Sequence, residues 1–312
     1  MYNICPNQSF IIIFVPSNQQ CMKFKHGYYH LVAILTVSIW GLTFISTKIL
    51  IQHGLTPQEI FFYRFLIAYI GIWFISPCRL FINSWKDELW LMAGGIFGGS
   101  LYFFTENTAL EITQASNVSF IICTAPLLTT ILSLLFYKNE KATKGLIGGS
   151  LLALVGVGLV VFNGSVVLKI SPVGDLLTLL AALSWAFYSL IIKKMAGRYP
   201  TVFITRKIFF YGVLTILPAF CIHPLRSDFS MLLQPTVLLN LLFLAVLASL
   251  VCFILWNVVL KQLGTVRASN YIYLNPLVTM VASALILQEH ITPIALSGAT
   301  CILLGVYLAE KK

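Results

Sequence analysis

Charged side chains are scarce in this chain of 312 residues, because only 10% of them are Asp, Glu, Lys or Arg, whereas 59% are hydrophobic. In a typical soluble domain about a quarter of the residues are charged. This composition excludes a water-soluble protein and most cytoplasmic enzymes. The net charge is +10, but long uncharged runs separate the basic residues, as is typical of membrane-protein loops. We therefore expect membrane lipid around the chain and no nucleic-acid partner.

Metal-binding and catalytic motifs are also lacking. The seven cysteines form no CxxC pair and no Cys/His cluster, so we expect no disulfide, no bound metal and no cofactor. Neither HExxH nor Gly-x-Ser-x-Gly occurs, although an intramembrane enzyme would need a metal set, paired carboxylates or a nucleophile with its base. No loop is long enough to fold as a sensory domain. These absences weigh against an intramembrane enzyme and against a structural or sensory membrane protein, which are kept as alternative classes.

Long apolar runs, bounded by charge, Pro or Gly, dominate the chain. Each is close to the 20 or so residues that a membrane-crossing helix needs, and backbone polar groups in lipid must be paired within the segment. We predict an all-α integral membrane protein with ten transmembrane helices. The predicted spans are residues 29–51, 57–77, 88–110, 115–137, 144–163, 173–193, 202–222, 236–260, 267–287 and 292–309.

Residues 1–28 are predicted to form an N-terminal tail. Residues 1–21 carry no charge and hold only a short apolar run, whereas Met22 is followed by Lys23 and Lys25 directly before the first span. A basic start before an apolar span is common in bacterial inner-membrane proteins. We therefore predict that translation starts at Met22 and that residues 1–21 are not translated.

The distribution of Lys and Arg predicts the orientation of the chain. Most of the 20 basic residues fall in the N-terminal tail, the even-numbered loops and the C-terminus, whereas the odd-numbered loops hold only Lys169 and Arg226. Because cytoplasmic loops carry the excess of Lys and Arg, both termini are predicted to be cytoplasmic. The expected location is the cell inner membrane, with multiple crossings.

The chain contains a weak internal repeat, which is found by position. The first repeat is predicted over residues 29–163 and the second over residues 173–309. Five crossings in each repeat is an odd number, so the second copy must be inverted relative to the first, as in many secondary transporters. The matched residues are Asn107, Leu110 and Pro126 with Asn257, Leu260 and Pro276, which lie 150 positions later, and Glu140, Gly149 and Gly156 with Glu289, Gly298 and Gly305, which lie 149 positions later.

An ordered set of short motifs runs through both predicted repeats. The motifs are Trp40-Gly41-Leu42-Thr43-Phe44 with Lys48, Pro57 with Arg64, Asn107-Thr108-Ala109-Leu110, Ala125-Pro126-Leu127 leading to Glu140, Ser184-Trp185-Ala186, Asn275-Pro276-Leu277 and Glu289. Together they resemble the EamA-like branch of the drug/metabolite transporter superfamily. This resemblance implies a ten-helix inverted-repeat transporter that works by alternating access. It also implies export of small metabolites, such as amino acids or related compounds, from bacterial cells.

Three ionisable residues lie within the first three predicted spans: Lys48, Arg64 and Glu106. Charges in a membrane are costly and are functional candidates for that reason. Together they could form an outer vestibule that meets a carboxylate, with Glu106 as a proton carrier. The alternative is a snorkelling Lys48 and a structural ion pair between Arg64 and Glu106. The sequence leaves open both proton exchange and facilitated transport.

Prolines and aromatic residues inside the spans complete the candidate pathway. Each proline removes a backbone hydrogen bond and should kink its helix, and the aromatic residues could line a pocket for a flat or apolar metabolite. Packing and helix-to-helix bonding are the alternatives for each of them. The candidate substrate pathway is Trp40, Thr43, Lys48, Arg64, Tyr102, Glu106, Asn107, Asn117, Trp185, Tyr188, Trp256, Asn257, Tyr271, Tyr273 and Asn275, with kinks at Pro126 and Pro276.

Small-residue motifs predict close helix contacts. The third span contains Gly94, Gly95, Gly98 and Gly99, and the fifth begins with Gly145 and Gly149. Such glycines allow helices to approach closely, either at a homodimer interface or within one bundle. After the fourth and ninth spans, the predicted caps Thr143 and Thr292 indicate a structural turn at each face.

Overall fold

In the computed structural model, the described residues are 22–75, 84–113, 115–137, 143–162, 171–222, 224–286 and 292–310. Within these ranges the regular structure is helical throughout, and no strand occurs. The expected start at Met22 concerns residues 1–21, which lie outside the described residues, as do Glu140 and Glu289.

The first half of the molecule consists of residues 22–162. Its helices are α1 (Met22–Gln52), α2 (Pro57–Ile75), α3 (Trp85–Gly95), the π-helical segment π1 (Ile96–Ser100), α4 (Leu101–Ile112), α5 (Ala115–Ile122), α6 (Ala125–Phe136) and α7 (Lys144–Phe162). The first helix therefore begins seven residues before the predicted span at 29, within the predicted tail.

The second half consists of residues 171–310 and repeats this order. Its helices are α8 (Pro172–Met195), α9 (Thr201–Ile216), α10 (Ala219–Ile222), α11 (Phe229–Leu232), α12 (Pro235–Leu242), the π-helical segment π2 (Phe243–Val251), α13 (Cys252–Leu263), α14 (Thr265–Asn270), a 3-10 turn (Tyr271–Leu274), α15 (Asn275–Ile286) and α16 (Pro293–Glu310).

Seven helices of the described residues are long and apolar enough to cross a membrane. They are Gly27–Gln52, Pro57–Ile75, Asn117–Phe136, Lys144–Val161, Pro172–Met195, Thr201–Ile222 and Pro235–Leu263, and a shorter apolar helix spans Pro293–Ala309. The predicted third and ninth spans are helical but are not among the seven. The third carries four glycines and the two carboxylates Glu88 and Glu106, which lower its hydropathy. The fold is therefore that of an all-helical, multi-pass membrane protein.

The fourth and ninth predicted spans are each broken directly before a proline. Pro126 and Pro276 are the second residues of α6 and α15, a position at which the missing N–H costs nothing. In the first half the backbone tightens before the proline, because the Cys123 and Thr124 amides donate to carbonyls three residues earlier. The 3-10 turn Tyr271–Leu274 is the corresponding feature in the second half. The equivalent spans therefore share the same discontinuity.

The third and eighth predicted spans each contain a π-helical segment, which the sequence did not predict. A π segment leaves carbonyl groups available to side chains from other helices. The Phe97 carbonyl of π1 accepts a hydrogen bond from Ser184 Oγ at 2.8 Å, and the Ala248 carbonyl of π2 accepts one from Trp40 Nε1 at 2.9 Å. Each π segment is thus bonded by the first helix of the opposite half.

Helices α7 and α16 cross closely at glycines. A Cβ atom on Gly149 would lie 2.5 Å from the carbonyl oxygen of Gly305, and one on Gly156 would lie 2.6 Å from that of Gly298. Side chains at these positions would therefore displace backbone. The sequence repeat matches Gly149 with Gly298 and Gly156 with Gly305. Gly149 therefore contacts the counterpart of Gly156, and Gly156 contacts the counterpart of Gly149. Reciprocal contacts of this kind are typical of two-fold symmetry.

The glycines of the predicted third span also pack within the bundle. A Cβ atom on Gly95 would lie 2.9 Å from the amide nitrogen of Gly212, and one on Gly98 would lie 2.2 Å from the Tyr188 ring. Both neighbours belong to the second half. These glycines therefore bring the two halves of one chain into contact.

Polar contacts join the two halves at both ends of the bundle. At one end, the buried Glu59 carboxylate accepts hydrogen bonds from the Thr56 amide and hydroxyl, as in a capping box, and from the amides of Arg226 and Ser227. At the other end, Asp87 pairs with Arg198 at 2.7 Å. These bonds therefore connect the starts of α2 and α3 to the opposite half.

The predicted caps of the fifth and tenth spans are present in the structure. Thr143 Oγ1 accepts a hydrogen bond from the Leu146 amide at 3.1 Å, and Thr292 Oγ1 accepts one from the Ala295 amide at 3.2 Å. These bonds satisfy backbone donors that a helix start leaves free. Helices α7 and α16 therefore begin in the same way.

Candidate functional site

A central cavity lies between the two halves, with about 500 Å³ of space that includes the volume open at its mouth. Helices α1, α2, α4 and α8 contribute to its wall, and so do both helix breaks. The lining residues are Trp40, Thr43, Phe44, Arg64, Tyr102, Phe103, Glu106, Ile122, Ala125, Trp185, Phe253, Ile272 and Asn275.

The wall of the central cavity contains pairs of residues related by the sequence repeat. Three pairs are 150 positions apart, the offset of the matched asparagines and prolines, and Trp40 and Trp185 are 145 apart, as are Lys48 and Lys193. The cavity is therefore lined by equivalent positions of the two halves. The other pairs are Phe103 with Phe253, Ile122 with Ile272, and Ala125 with Asn275.

Aromatic rings form a continuous surface around the cavity. The ring centroids of Trp40 and Trp185 are 5.2 Å apart and nearly perpendicular. Tyr102 lies 5.2 Å from Trp185, and Phe253 lies 6.0 Å from it. Such contacts are favourable beyond simple burial, so the rings hold one another in place in the cavity wall.

Arg64 is one of the two charged residues that line the cavity. Its side chain is only 2% exposed, and its guanidinium lies 4.2 Å from the centroid of the Phe103 ring. Its Nε donates to Ser249 Oγ of π2 at 2.9 Å. The planar group is therefore fixed by a first-half ring and a second-half hydroxyl.

Glu106 is the second charged residue of the cavity and is 7% exposed. Its Oε1 accepts a hydrogen bond from the Tyr102 hydroxyl, one helical turn away, at 2.7 Å. Arg64 is close enough to interact with it electrostatically. Yet, among the described residues, the ion pairs are Arg198–Asp87 and Lys207–Glu88. The structural ion pair considered from the sequence is therefore not formed directly.

Two second-half polar groups at the cavity lack hydrogen-bond partners among the described residues. They are the Trp185 indole Nε1 and the Asn275 Oδ1 atom, on side chains that are each 5% exposed. Buried polar atoms without partners are uncommon in folded proteins. Within the described part of the chain, one donor and one acceptor are therefore left unpaired on side chains that line the cavity.

Several predicted pathway residues bind backbone or other side chains instead. Lys48 Nζ donates to the Leu110 carbonyl at 2.6 Å, near the end of α4. Asn107 Nδ2 donates to the Pro57 carbonyl at 3.2 Å. The structure therefore places both residues in helix-to-helix bonds and outside the cavity wall.

The second-half asparagine belongs to a similar bond network. Asn257 accepts a hydrogen bond from the Tyr188 hydroxyl at 2.7 Å and donates to Thr205 Oγ1 at 2.9 Å. Trp256 is fully buried, with its ring 5.1 Å from that of Trp40. These residues lie outside the cavity lining, and Trp256 packs against Trp40, which is part of the lining.

The remaining predicted pathway residues lie near the helix breaks. Asn117 contacts Thr113 Oγ1 at 3.5 Å. Tyr271 hydrogen-bonds His30, and Tyr273 is fully buried. None of the three predicted residues lines the central cavity.

Sequence reasoning missed six lining residues. Five of them belong to the pairs that are 150 positions apart. Phe103, Ile122 and Ala125 lie 150 positions before Phe253, Ile272 and Asn275. Selecting residues by polarity or by Trp and Tyr content excludes Phe, Ile and Ala. Applying the 150-position offset to the predicted residue Asn275 gives Ala125, whereas Phe103 and Phe253 lie 23 positions before the prolines and carry no polar signal. The missed residues are Phe44, Phe103, Ile122, Ala125, Phe253 and Ile272.

The sequence pattern of the EamA-like transporter family matches residues 27–162 and, a second time, residues 172–310. Together these matches cover most of the chain, which therefore belongs to the EamA-like transporter family. The protein is a membrane transporter, and the family resemblance drawn from the sequence motifs is confirmed.

Curated relatives have transporter names. An uncharacterized transporter of Archaeoglobus fulgidus is 29% identical, covering 91% of this chain and 97% of the relative. A probable amino-acid metabolite efflux pump of Salmonella typhimurium is 27% identical, covering 92% and 95%. The protein of the same name from Escherichia coli is 24% identical, covering 88% and 92%. This chain is similar to these transporters over nearly its whole length.

A solved crystal structure shares the fold. It superposes with a TM-score of 0.73 over 90% of this chain and 97% of the other, at 16% sequence identity. This likeness supports the helical architecture alone.

Proposed function

We propose that this transporter exports small metabolites, such as amino acids or related compounds, across the cell inner membrane by alternating access. The central cavity carries the proposal, because equivalent residues of both halves line it and both helix breaks reach it. Discontinuous helices at the interface of two repeats form the substrate sites of many secondary transporters.

Three features support two inverted repeats, here assigned to residues 29–163 and 173–309, with ten crossings and both termini in the cytoplasm. The family pattern matches twice. Each half has a π segment and a proline break at equivalent positions. Gly149 and Gly156 meet Gly305 and Gly298 reciprocally. Two halves of this kind can exchange conformations and expose the cavity to either side.

The chemistry of the cavity supports a small metabolite with both polar and flat apolar parts. Among the described residues, its wall combines aromatic rings with one cation, Arg64, and one carboxylate, Glu106. A sugar phosphate would require several converging basic groups. The names of the Salmonella and Escherichia relatives favour amino-acid metabolites among the remaining compounds.

An efflux screen of overexpressing cells tests this function. Cells are loaded with amino acids, dipeptides and related metabolites, and efflux is compared between the intact protein and the variants Trp185→Ala and Arg64→Ala. We expect at least one compound to leave faster with the intact protein, and several-fold slower with either variant, because both residues line the cavity.

Matched controls are available on the surface. Trp85 is 76% exposed and the Arg226 side chain is also exposed, so Trp85→Ala and Arg226→Ala should retain efflux. Equal expression of all variants is checked in membrane fractions. Efflux that is the same with and without the intact protein for every compound would refute the export proposal.

A further inference from the structure

Two opposite charges line the central cavity without forming an ion pair with each other. Arg64 projects from α2 and Glu106 from α4, and both are more than nine-tenths buried. Burial of a charge in a membrane is costly unless another group compensates it. Since the two do not neutralise one another directly, each retains the capacity to bind an oppositely charged group in the cavity.

The arrangement of Arg64 suits a carboxylate. Its Nε is occupied by Ser249, and its flat face lies over Phe103. No described residue accepts a hydrogen bond from its two terminal amino groups. A guanidinium fork of this kind binds the two oxygens of a carboxylate side by side.

The arrangement of Glu106 suits an ammonium group. One oxygen accepts the Tyr102 hydroxyl, and among the described residues no other side chain donates to the carboxylate. An ammonium group brings three donors and a positive charge. Glu106 can therefore accept it through the second oxygen.

Among the described residues that line the cavity, those of the second half carry no charge. Lys207, which follows Pro200 by seven residues as Arg64 follows Pro57, pairs with Glu88 at 2.7 Å. Trp256 stands 150 positions after Glu106. The second-half wall residues Trp185 and Asn275 are polar but uncharged. Within the described part of the chain, the charged groups at the cavity therefore belong to the first half.

We propose that Arg64 binds the carboxylate and Glu106 the ammonium group of one zwitterionic substrate, while the aromatic wall holds its side chain. This assignment rests on the proposed export function and specifies it. It implies that a molecule with one of the two charges binds poorly, because the opposite charge of the site is then left buried and unpaired.

Binding of three probes with the same ring tests the assignment. The purified full-length chain in detergent is titrated with L-phenylalanine, 3-phenylpropionate and 2-phenylethylamine, and tryptophan fluorescence is followed. A second set, L-leucine, 4-methylpentanoate and 3-methylbutylamine, covers an aliphatic side chain. In at least one set the amino acid should bind about tenfold or more tightly than either single-charge probe.

Charge-removing variants separate the two roles. Glu106→Gln should weaken the amino acid and the amine about tenfold, and leave the carboxylate probe within about twofold. Arg64→Met should weaken binding of the amino acid and of the carboxylate probe about tenfold, and leave binding of the amine within about twofold. Glu111, on the same helix as Glu106, and Arg226 are exposed, so Glu111→Gln and Arg226→Met serve as controls and should keep the wild-type order.

Each result decides the assignment. Single-charge probes that bind the wild-type protein as tightly as the amino acids would overturn the assignment, and this result needs no variant. Equal losses of binding affinity for both single-charge probes in each variant would also overturn it. If neither amino acid binds, the assignment is also overturned. The export function fails separately, when the cellular screen detects no compound whose efflux depends on the protein.

Discussion

At the scale of single residues, the bonding partner decides what a buried charge does. The rarity of ionisable groups in the spans makes Lys48, Arg64 and Glu106 visible from the sequence alone. Their roles differ in the structure, because Lys48 bonds the Leu110 carbonyl whereas Arg64 and Glu106 line the central cavity. The sequence cannot predict this difference, since each partner comes from another helix or another turn.

Replacing Lys48 with Met tests this division. Lys48→Met removes a bond to a helix-end carbonyl, so it should lower the free energy of unfolding by about 1 kcal/mol and leave efflux nearly unchanged. Thermal unfolding in detergent and the cellular efflux assay measure the two effects, with Arg64→Met as the comparison. A correctly folded Lys48→Met protein without efflux would show that Lys48 belongs to the substrate pathway after all.

At the scale of helices, proline and glycine are readable in the sequence, but the π segments are not. Pro126 and Pro276 mark the two breaks because proline cannot donate a backbone hydrogen bond. The segments Ile96–Ser100 and Phe243–Val251 have no comparable marker. The bonds that their carbonyls accept come from Ser184 and Trp40 of the opposite half. Repeat offsets predict that the segments are equivalent, but they do not predict their conformation.

The crossing of α7 and α16 gives a prediction with an internal control. Gly156→Ala places a Cβ atom 2.6 Å from the Gly298 carbonyl oxygen, whereas nothing lies within 4 Å of a Cβ on Gly148. The first substitution should destabilise the protein by about 1–3 kcal/mol, as expected for overpacking. Gly148→Ala should be neutral or slightly stabilising, because alanine favours helix.

Thermal unfolding of the two alanine variants, side by side with the unmodified protein, measures this difference. The same helix and the same substitution are used in both variants, so general effects of alanine cancel. Equal stability of the two variants would show that the glycine contact between α7 and α16 is not close in the membrane protein.

At the scale of the whole molecule, composition predicts a multi-pass helical protein, and the motif order predicts its family. Both follow from local sequence, because span length and apolar content are set by the bilayer. The cavity is a property of both halves together. Seven of the predicted pathway residues line it, but Phe103, Phe253 and Ile272 escaped prediction because ordinary apolar residues carry no chemical signal.

The most direct test of alternating access uses Thr43, which lines the cavity. A variant without its native cysteines and with Thr43→Cys is placed in sealed vesicles and exposed to a membrane-impermeant maleimide on one side at a time. Alternating access predicts labelling from each side, slowed in both cases by an exported metabolite. Labelling from one side alone, or from neither, would contradict a cavity that opens alternately across the membrane.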